Sequence, residues 1–218
     1  MEIHALVPVK ELRQAKRRLA PVLDTHERQA LSLSMLGDVL AALSRSPVCR
    51  VTVISRDVAA HQVAIAHSAA IIVDRASDLN AALLQAVADL PAHTAVLVAP
   101  SDLPLLRPDD VLMAAETSGV VIVPAHDGGT NLLLVTSAQE WTFLFGPDSC
   151  ARHCAEARRR GWPVRLVRLP HLERDIDEPD DLIWLAQQPG DTSAQRLARK
   201  FLARKGARQW QSSDMPQH

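Results

Sequence analysis

The sequence is poor in aromatic residues and cysteine, and both shortages exclude kinds of protein. It has no Tyr, 4 Trp and 3 Phe, so the core must be aliphatic, and an aromatic platform that stacks single-stranded nucleic acid is not expected. The 3 cysteines, Cys49, Cys150 and Cys154, are odd in number and too few for a disulfide framework. This favours a reducing cytoplasm.

The chain also lacks an excess of charge and a long hydrophobic run. The sequence has 24 Lys and Arg and 25 Asp and Glu, for a net charge of -1. This near-neutral charge argues against a nucleic-acid partner. The opening MEIHALVPVK is too short an apolar run for a signal peptide, and no run approaches a membrane span. With 218 residues at 47% hydrophobic, we expect one cytoplasmic domain with neither nucleic acid nor membrane as partner.

Short β-branched runs alternate with helical patterns along the first 188 residues. The predicted strands are residues 3–9, 51–55, 70–73, 94–99, 120–123, 131–135 and 164–169. Between them lie helical patterns, of which the first opens on a capping box formed by Asp24 and Glu27. This alternation predicts an α/β three-layer sandwich, Rossmann-like, with a mostly parallel sheet covered on both faces.

The last thirty residues differ in composition from this body. After Gln188-Pro189-Gly190, a basic segment carries apolar side chains at helical spacing: Ala194, Leu197, Ala198 and Phe201. We therefore divide the chain into a domain of residues 1–188 and a basic C-terminal helix with a disordered tail, residues 189–218, with disorder from residue 212. Docking of this helix on the body or on a partner subunit, as in a homodimer, is favoured over nucleic-acid or membrane contact.

In open α/β sheets, ligands bind beyond the carboxyl ends of the strands, and a basic segment follows the first strand. Five cations stand within nine residues: Lys10, Arg13, Lys16, Arg17 and Arg18. They suit a triphosphate, which carries about four negative charges. A solvated basic helix explains them equally well. Walker-type glycine spacing is absent, which excludes a P-loop.

Acidic side chains follow at two further points of the predicted edge. Asp102 stands just past a buried strand and before Pro104, where it could hold Mg²⁺ or only stabilise the turn; the position favours the metal. The segment 175–181 holds more acidic groups than one helix start needs. Asp177 or Glu178 can cap that helix, which leaves Asp175 as a second metal ligand.

Two glycine-containing turns lie between these acidic groups. Paired glycines at Gly128-Gly129 let the backbone approach a ligand, with the Thr130 hydroxyl beside them, although a plain hairpin turn explains them as well. Ser149 opens a helix whose free N–H groups would bind an anion; taken alone, it is more simply an N-cap. Cys150, His153 and Cys154 share one helical face, and core packing is favoured there over zinc.

The strings VPVK, AKRRL, SDLPLL, DGGTN, FGPDSCARH and DIDEPDDL occur in this order over residues 3–185. Together they resemble the phosphoenolpyruvate, 2-phospho-L-lactate and 3-phospho-D-glycerate guanylyltransferases of coenzyme F-420 biosynthesis. The resemblance implies a nucleotide-diphospho-sugar transferase-like fold. It also implies Mg²⁺-dependent transfer of GMP from GTP to the phosphate of a small phospho-acid, with release of pyrophosphate.

The resemblance also implies roles for individual residues. The metal ligands would be Asp102 and Asp175, with Lys10 as a further catalytic group. The GTP-binding residues would be Lys10, Lys16, Arg18, Asp78 and Asn80, and the acceptor-binding residues Thr130, Gly146 and Ser149. Phosphoenolpyruvate-using members carry a Gly-Thr-Gly-Thr stretch where this chain has Gly128-Gly129-Thr130, and Cys150 is a second departure. These differences favour 3-phospho-D-glycerate as the acceptor.

Two other functions fit the same residues. One is a related nucleotidyltransferase that acts on a sugar phosphate or molybdopterin, with CTP as donor. The other is a non-catalytic GTP-binding partner of the next transferase of the pathway. Because the product is labile and must reach that transferase, contact with it is compatible with catalysis as well.

Overall fold

A computed structural model describes residues 2–13, 15–116 and 118–213, with side chains as far as residue 204. The strands are β1 (Ile3–Pro8), β2 (Arg50–Ser55), β3 (Ala70–Val73), β4 (Ala95–Val98), β5 (Val120–Pro124), β6 (Thr130–Val135) and β7 (Val164–Leu166). The α-helices are α1 (Thr25–Leu43), α2 (Val58–Ala66), α3 (Leu79–Ala88), α4 (Pro108–Ala115), α5 (Ser149–Arg159), α6 (Pro179–Gln187) and α7 (Ser193–Ser213).

The seven strands form one sheet in the order β3-β2-β1-β4-β6-β5-β7. Strand β6 is antiparallel to both of its neighbours, β4 and β5, while the other pairings are parallel. The prediction of a mostly parallel sheet is confirmed. The reversal of β6 matters for the site, because β6 begins at the edge where β4 and β5 end.

Helices cover the sheet on both faces, as predicted. Successive residues of a strand point to opposite faces, so Ala5 and Val7 pack against α1, α2 and α4 while Leu6 packs on the side of α3 and α5. The three-layer sandwich is therefore confirmed. Its first helix begins with the predicted capping box: the Asp24 carboxylate accepts from the Glu27 amide at 2.8 Å, and the Glu27 carboxylate accepts from the Asp24 amide at 3.0 Å.

The C-terminal helix α7 packs on the body. Ala194, Ala198 and Phe201 are buried in a third apolar cluster with residues of α1 and α6, so the predicted apolar face docks on this chain. The amides of Ser193 and Ala194 donate to the Asp38 carboxylate of α1 at 2.9 and 2.7 Å, which caps the helix with an acid from the body. Disorder was predicted from residue 212, but α7 extends to Ser213; residues 214–218 of the predicted tail lie outside the described residues.

Three local predictions need correction or limits. Strand β7 ends at Leu166, short of residue 169, because the chain turns into a 3-10 helix at Pro170–Leu172. Residues 10–13 and 15–16 form a loop with turns, followed by a 3-10 helix at Arg17–Leu19, so a solvated basic α-helix is wrong for them. Helix α4 ends at Ala115, and residue 117, its predicted end, lies outside the described residues. No described helix has the length and apolarity needed to cross a membrane.

Candidate functional site

Three aspartates meet at the carboxyl edge of the sheet. Asp102 lies in the loop after β4, and Asp175 and Asp177 lie in the segment that leads into α6. One carboxylate oxygen from each lies within 4.8 Å of the others. The two loops are joined by a hydrogen bond from the Ile176 amide to the Asp102 carbonyl oxygen at 3.4 Å. The predicted pair, Asp102 and Asp175, is thus brought together, and we call the three residues the aspartate cluster.

Lys16 places its ammonium group against this cluster. Its Nζ lies 2.7 Å from Asp102 Oδ2 and 2.5 Å from Asp177 Oδ1, and its side chain is only 8% exposed. Burial alone would lower the pKa of the ammonium group, but the charges of Asp102 and Asp177 outweigh it and raise the pKa. Lys16 has a left-handed backbone with φ of 53°, an uncommon conformation for a residue other than glycine.

The pKa values of Asp102 and Asp175 shift in opposite directions. Burial favours the neutral form of Asp102, but the Lys16 charge outweighs it and lowers the pKa, and Lys10 acts in the same direction. Burial raises the pKa of Asp175 to about 6, with Asp102 and Asp177 adding to the effect. The Lys16 charge opposes this shift, but among the described residues no ammonium group forms an ion pair with Asp175, so burial and the neighbouring carboxylates prevail.

The residues present fit a hard divalent cation. The donor set is three carboxylates, the oxygen ligands that Mg²⁺ prefers, and one ammonium group leaves their charge incompletely balanced. Sequence reasoning left the cap of α6 open between Asp177 and Glu178 and gave Asp177 no metal role. Glu178 occupies the N-cap position, and the Asp181 carboxylate accepts from the amides of Asp177 and Glu178 at 3.1 and 2.8 Å. The D-I-D spacing was the available signal, because alternate residues of an extended segment point the same way.

Asp175 should therefore destabilise the metal-free protein. Because its folded pKa lies above the ordinary value of 3.8, the folded state holds more protons between about pH 4 and 6, and the free energy of unfolding falls as pH rises through that window. We expect Asp175→Asn to raise the free energy of unfolding by about 1 to 2 kcal/mol at pH 7.5 in EDTA. Near pH 4 the substitution should leave the free energy of unfolding unchanged. Urea unfolding at both pH values measures this, and equal shifts at both would contradict it.

The other predicted cations of the first loop lie nearer to solvent. Lys10 is exposed at the end of β1, and its charge lowers the pKa of Asp102, so it lies close to the cluster. Arg18 is 72% exposed and pairs with Glu178 at 3.1 Å. The loop is fixed between them by Leu12, whose side chain is buried and whose amide donates to the Asp57 carboxylate at 3.1 Å.

The glycine pair forms the turn of the β5–β6 hairpin. The Ala125 amide donates to the Gly129 carbonyl oxygen at 3.0 Å, and Gly128 has φ of 89°, a conformation that favours glycine. The hairpin interpretation is therefore correct. It delivers Thr130 to the functional edge, because antiparallel β6 begins beside Pro124 at the end of β5.

Ser149 faces Thr130 from the start of α5. Its Oγ donates to Thr130 Oγ1 at 3.1 Å. Asp148, with φ of 53°, occupies the N-cap position, so the prediction that Ser149 is a plain N-cap is wrong. The predicted set of free helix amides is also wrong in part, because the Ser149 and Cys150 amides donate to the carbonyl oxygens of Gly146 and Gly128, both at 3.2 Å.

A buried histidine completes this second cluster. His153 Nδ1 lies 3.1 Å from Thr130 Oγ1, and His153 Nε2 accepts from the Leu144 amide at 3.0 Å. Burial lowers the pKa of His153 to about 4, and the Arg152 charge contributes. His153 and Cys154 are buried, as core packing predicts, but no local pattern in the sequence indicates the contacts of the imidazole. We call Thr130, Ser149 and His153 the hydroxyl cluster.

The two clusters are neighbours along the same edge. The Asn131 side-chain amide donates to the Leu172 carbonyl oxygen at 2.6 Å. The His126 amide donates to the Glu173 carbonyl oxygen at 2.8 Å. These bonds tie the β5–β6 turn and the start of β6, next to Thr130, to the segment that carries Asp175. A cavity of about 520 Å³ is lined by residues of the β5–β6 turn, α5 and β7, among them Gly128, Arg158 and Leu166, but in the described chain not by the aspartate cluster.

Asp78 and Asn80, predicted near the guanine, have visible structural partners. The Asp78 carboxylate caps α3 by accepting from the Ala81 amide at 3.0 Å. The Asn80 side chain donates to the Phe145 carbonyl oxygen at 3.1 Å and accepts from its amide at 2.8 Å. Asn80 thus holds the loop that carries Gly146, which has φ of 124°, in front of α5.

The family model described as guanylyl transferase CofC like matches residues 3–208. A phosphoenolpyruvate guanylyltransferase of Roseiflexus castenholzii is 71% identical, over 96% of this chain and 100% of that protein. A 3-phospho-D-glycerate guanylyltransferase of Phenylobacterium zucineum is 38% identical, over 85% of this chain and 90% of that protein. The predicted resemblance is confirmed.

Among solved structures, a protein described as a nucleotide-diphospho-sugar transferase, from Desulfovibrio desulfuricans G20, superposes with a TM-score of 0.75. The superposition covers 93% of this chain and 96% of that chain at 20% identity. At this identity the likeness concerns the fold alone. It agrees with the three-layer sandwich predicted from the sequence.

Proposed function

Because the chain belongs to the guanylyl transferase CofC-like family, we propose that it transfers GMP from GTP to the phosphate of phosphoenolpyruvate, releases pyrophosphate and depends on Mg²⁺. The observation that carries this proposal is the aspartate cluster with Lys16 against it. Three carboxylates and a buried ammonium group at the ligand-binding edge suit a site that receives a polyphosphate together with a cation.

The reaction is an electrostatic problem more than a problem of proton transfer. A phosphate oxygen of the acceptor attacks the α-phosphorus of GTP in line with the departing pyrophosphate. That oxygen is already anionic near neutral pH, so no general base is required. Two polyanions must nevertheless be brought together and aligned, which calls for fixed positive charge and precise positioning.

The residues of the chain divide this work. Asp102, Asp175 and Asp177 would hold Mg²⁺, which when bound neutralises phosphate oxygens and aligns the α-phosphate. Lys16 and the exposed Lys10 supply cations beside it, and Arg18 adds a cation at the rim. Thr130, Ser149 and the Gly146 loop bind the acceptor. Asp78 and Asn80 act on the guanine pocket through the backbone: the Asp78 side chain caps α3, and the Asn80 side chain holds the Phe145 backbone.

The acceptor that we propose, phosphoenolpyruvate, differs from the 3-phospho-D-glycerate favoured by the sequence analysis. The preference from sequence rested on the turn Gly128-Gly129-Thr130 and on Cys150. The relative that is 71% identical is named for phosphoenolpyruvate, whereas the one named for 3-phospho-D-glycerate is 38% identical. Moreover, the turn keeps the Thr130 hydroxyl at the edge, so its altered sequence does not remove an acceptor-binding group. Action within F-420 biosynthesis, a homodimer and contact with the next transferase stay predictions.

A side-by-side turnover assay tests the acceptor. With GTP and Mg²⁺, we expect pyrophosphate release with phosphoenolpyruvate to exceed that with 2-phospho-L-lactate or 3-phospho-D-glycerate by about tenfold or more in kcat/KM. A lost polar contact or a misfit of one small group accounts for that ratio. A higher value for 3-phospho-D-glycerate would reverse the acceptor assignment.

The same assay separates the competing functions. Turnover with CTP and a sugar phosphate or molybdopterin, but with none of the three acids, would indicate the related transferase. Thermal stabilisation by GTP and Mg²⁺ without product from any acceptor would indicate a non-catalytic GTP-binding partner. EDTA should abolish turnover, and full activity in EDTA would contradict the metal.

A further inference from the structure

The hydroxyl cluster contains a histidine to which neither the sequence nor the family resemblance gave a role. His153 is fully buried, and its ring lies between aromatic side chains, with centroids 4.9 Å from Phe145 and 6.0 Å from Trp141. These contacts fix the plane of the imidazole, so its two nitrogens point in set directions. One faces the backbone of Leu144 and the other faces Thr130.

The hydrogen bonds determine where the imidazole proton lies. The Leu144 amide can only donate, so His153 Nε2, which faces it at 3.0 Å, must accept and cannot carry a proton. A neutral ring then carries its proton on Nδ1, which donates to Thr130 Oγ1 at 3.1 Å. The backbone of the loop thereby selects the tautomer, and the imidazole transmits that choice to Thr130.

The hydroxyl groups of Thr130 and Ser149 then have one proton without a hydrogen-bond acceptor within the cluster. Ser149 and Thr130 share a single O–H···O bond of 3.1 Å, which uses one of their two hydroxyl protons. Because His153 donates to Thr130, it cannot accept the other proton. Among the residues that the structure describes, no other group accepts it. Both side chains are buried, so a ligand oxygen is the natural acceptor.

We infer that His153 is a positioning residue for the acceptor: its Nδ1–H fills a lone pair of Thr130 and turns the spare hydroxyl proton of the Thr130–Ser149 pair towards an anionic oxygen of the phospho-acid. The inference rests on the proposed function, because it presupposes that the hydroxyl cluster binds the acceptor. A hydrogen bond from this hydroxyl to a charged oxygen is stronger than a hydrogen bond between two neutral groups.

Two substitutions separate this role from simple support of the loop. His153→Asn keeps a donor near the position of Nδ1 but loses the acceptor for Leu144. His153→Gln can place an oxygen near the position of Nε2, so it keeps the bond to Leu144 and loses the donor to Thr130. For His153→Gln we expect the KM for phosphoenolpyruvate to rise about tenfold or more, with the KM for GTP within about twofold of wild type. His153→Asn should recover most of the loss.

The opposite order, with Gln near wild type and Asn defective, would overturn the inference in favour of loop support. A parallel rise in both KM values would also overturn it. The matched control is His4→Gln, since His4 is likewise buried and bonded to a threonine, with Nε2 2.7 Å from Thr52 Oγ1, but lies near the amino end of β1. Its two KM values should stay at wild type.

A measurement independent of turnover keeps this inference distinct from the proposed function. The ¹⁵N spectrum of the imidazole nitrogens, assigned by comparison with His153→Gln, should show Nδ1 protonated and Nε2 unprotonated at pH 7. The other tautomer, or an imidazolium, would refute the positioning role even in an active enzyme. If wild type transfers GMP to none of the acids, the proposed function fails, whatever the spectrum shows.

Discussion

Asp102→Asn is expected to lower kcat by at least about a hundredfold, the scale for loss of a principal electrostatic group in a transition state. Asp102 takes part in the aspartate cluster and binds Lys16 at 2.7 Å, so the change removes a metal ligand and also a partner of the buried ammonium group. Asparagine has nearly the same shape as aspartate, which keeps the loop geometry. Steady-state pyrophosphate release with GTP and phosphoenolpyruvate measures the effect.

Asp38→Asn is the matched control for this change. The Asp38 carboxylate accepts from the first amides of α7, away from the carboxyl edge of the sheet, and the substitution removes the same charge. We expect its turnover to stay within about twofold of wild type, because the aspartate cluster is intact. Near-normal turnover of Asp102→Asn, or equal losses in both variants, would refute a metal role for Asp102.

Lys16→Met should have the largest effect on the stability of the metal-free protein. The substitution keeps the aliphatic stem but leaves the three carboxylates of the cluster without their buried cation. Removal of one partner from a buried ion pair leaves uncompensated charge. Asp177 is 42% exposed, so solvent screens part of the uncompensated charge. We therefore expect the free energy of unfolding in EDTA to fall by about 2 to 4 kcal/mol.

Mg²⁺ should restore part of this loss, because ion binding to the folded state adds stability. Urea unfolding in EDTA and in Mg²⁺ gives both values. Arg56→Met is the control: Arg56 and Asp74 form a surface pair at 3.4 Å, whose loss should cost less than about 1 kcal/mol. A loss for Lys16→Met no larger than this control, or one that Mg²⁺ leaves unchanged, would contradict the arrangement. Turnover should also fall, since Lys16 is a proposed GTP-binding cation.

The strand-end positions of polar residues were readable from the sequence, and the partners of those residues were not. Asp102 follows a run of buried residues, so its place at the ligand-binding edge was predictable. Lys16 reaches it from a loop 86 residues earlier, and no local pattern encodes that distance. The same holds for Asp177: local rules left the cap of α6 open between Asp177 and Glu178, and only the fold places Glu178 at the N-cap position and Asp177 in the aspartate cluster.

Helix-end rules were reliable where the neighbouring segment alone decides and failed where a distant segment competes. Asp24 and Glu27 cap α1 as predicted, because both partners lie within one turn. Taken alone, Ser149 was expected to cap α5. Asp148 holds the N-cap position instead, and the Ser149 hydroxyl donates to Thr130 at the start of β6. The glycine turn before Thr130 also places the Gly128 carbonyl oxygen where it accepts from the Cys150 amide.

By itself the sequence determined the fold class and the family, because hydrophobic periodicity is a local property and six motifs in order are specific as a set. Only the tertiary structure decided which side chains share the site. The aspartate cluster, its Lys16 and the pairing of Thr130 with His153 all join segments far apart in the chain. Such contacts depend on the strand order and on the reversed β6, and the energies that set them arise only once those segments are packed together.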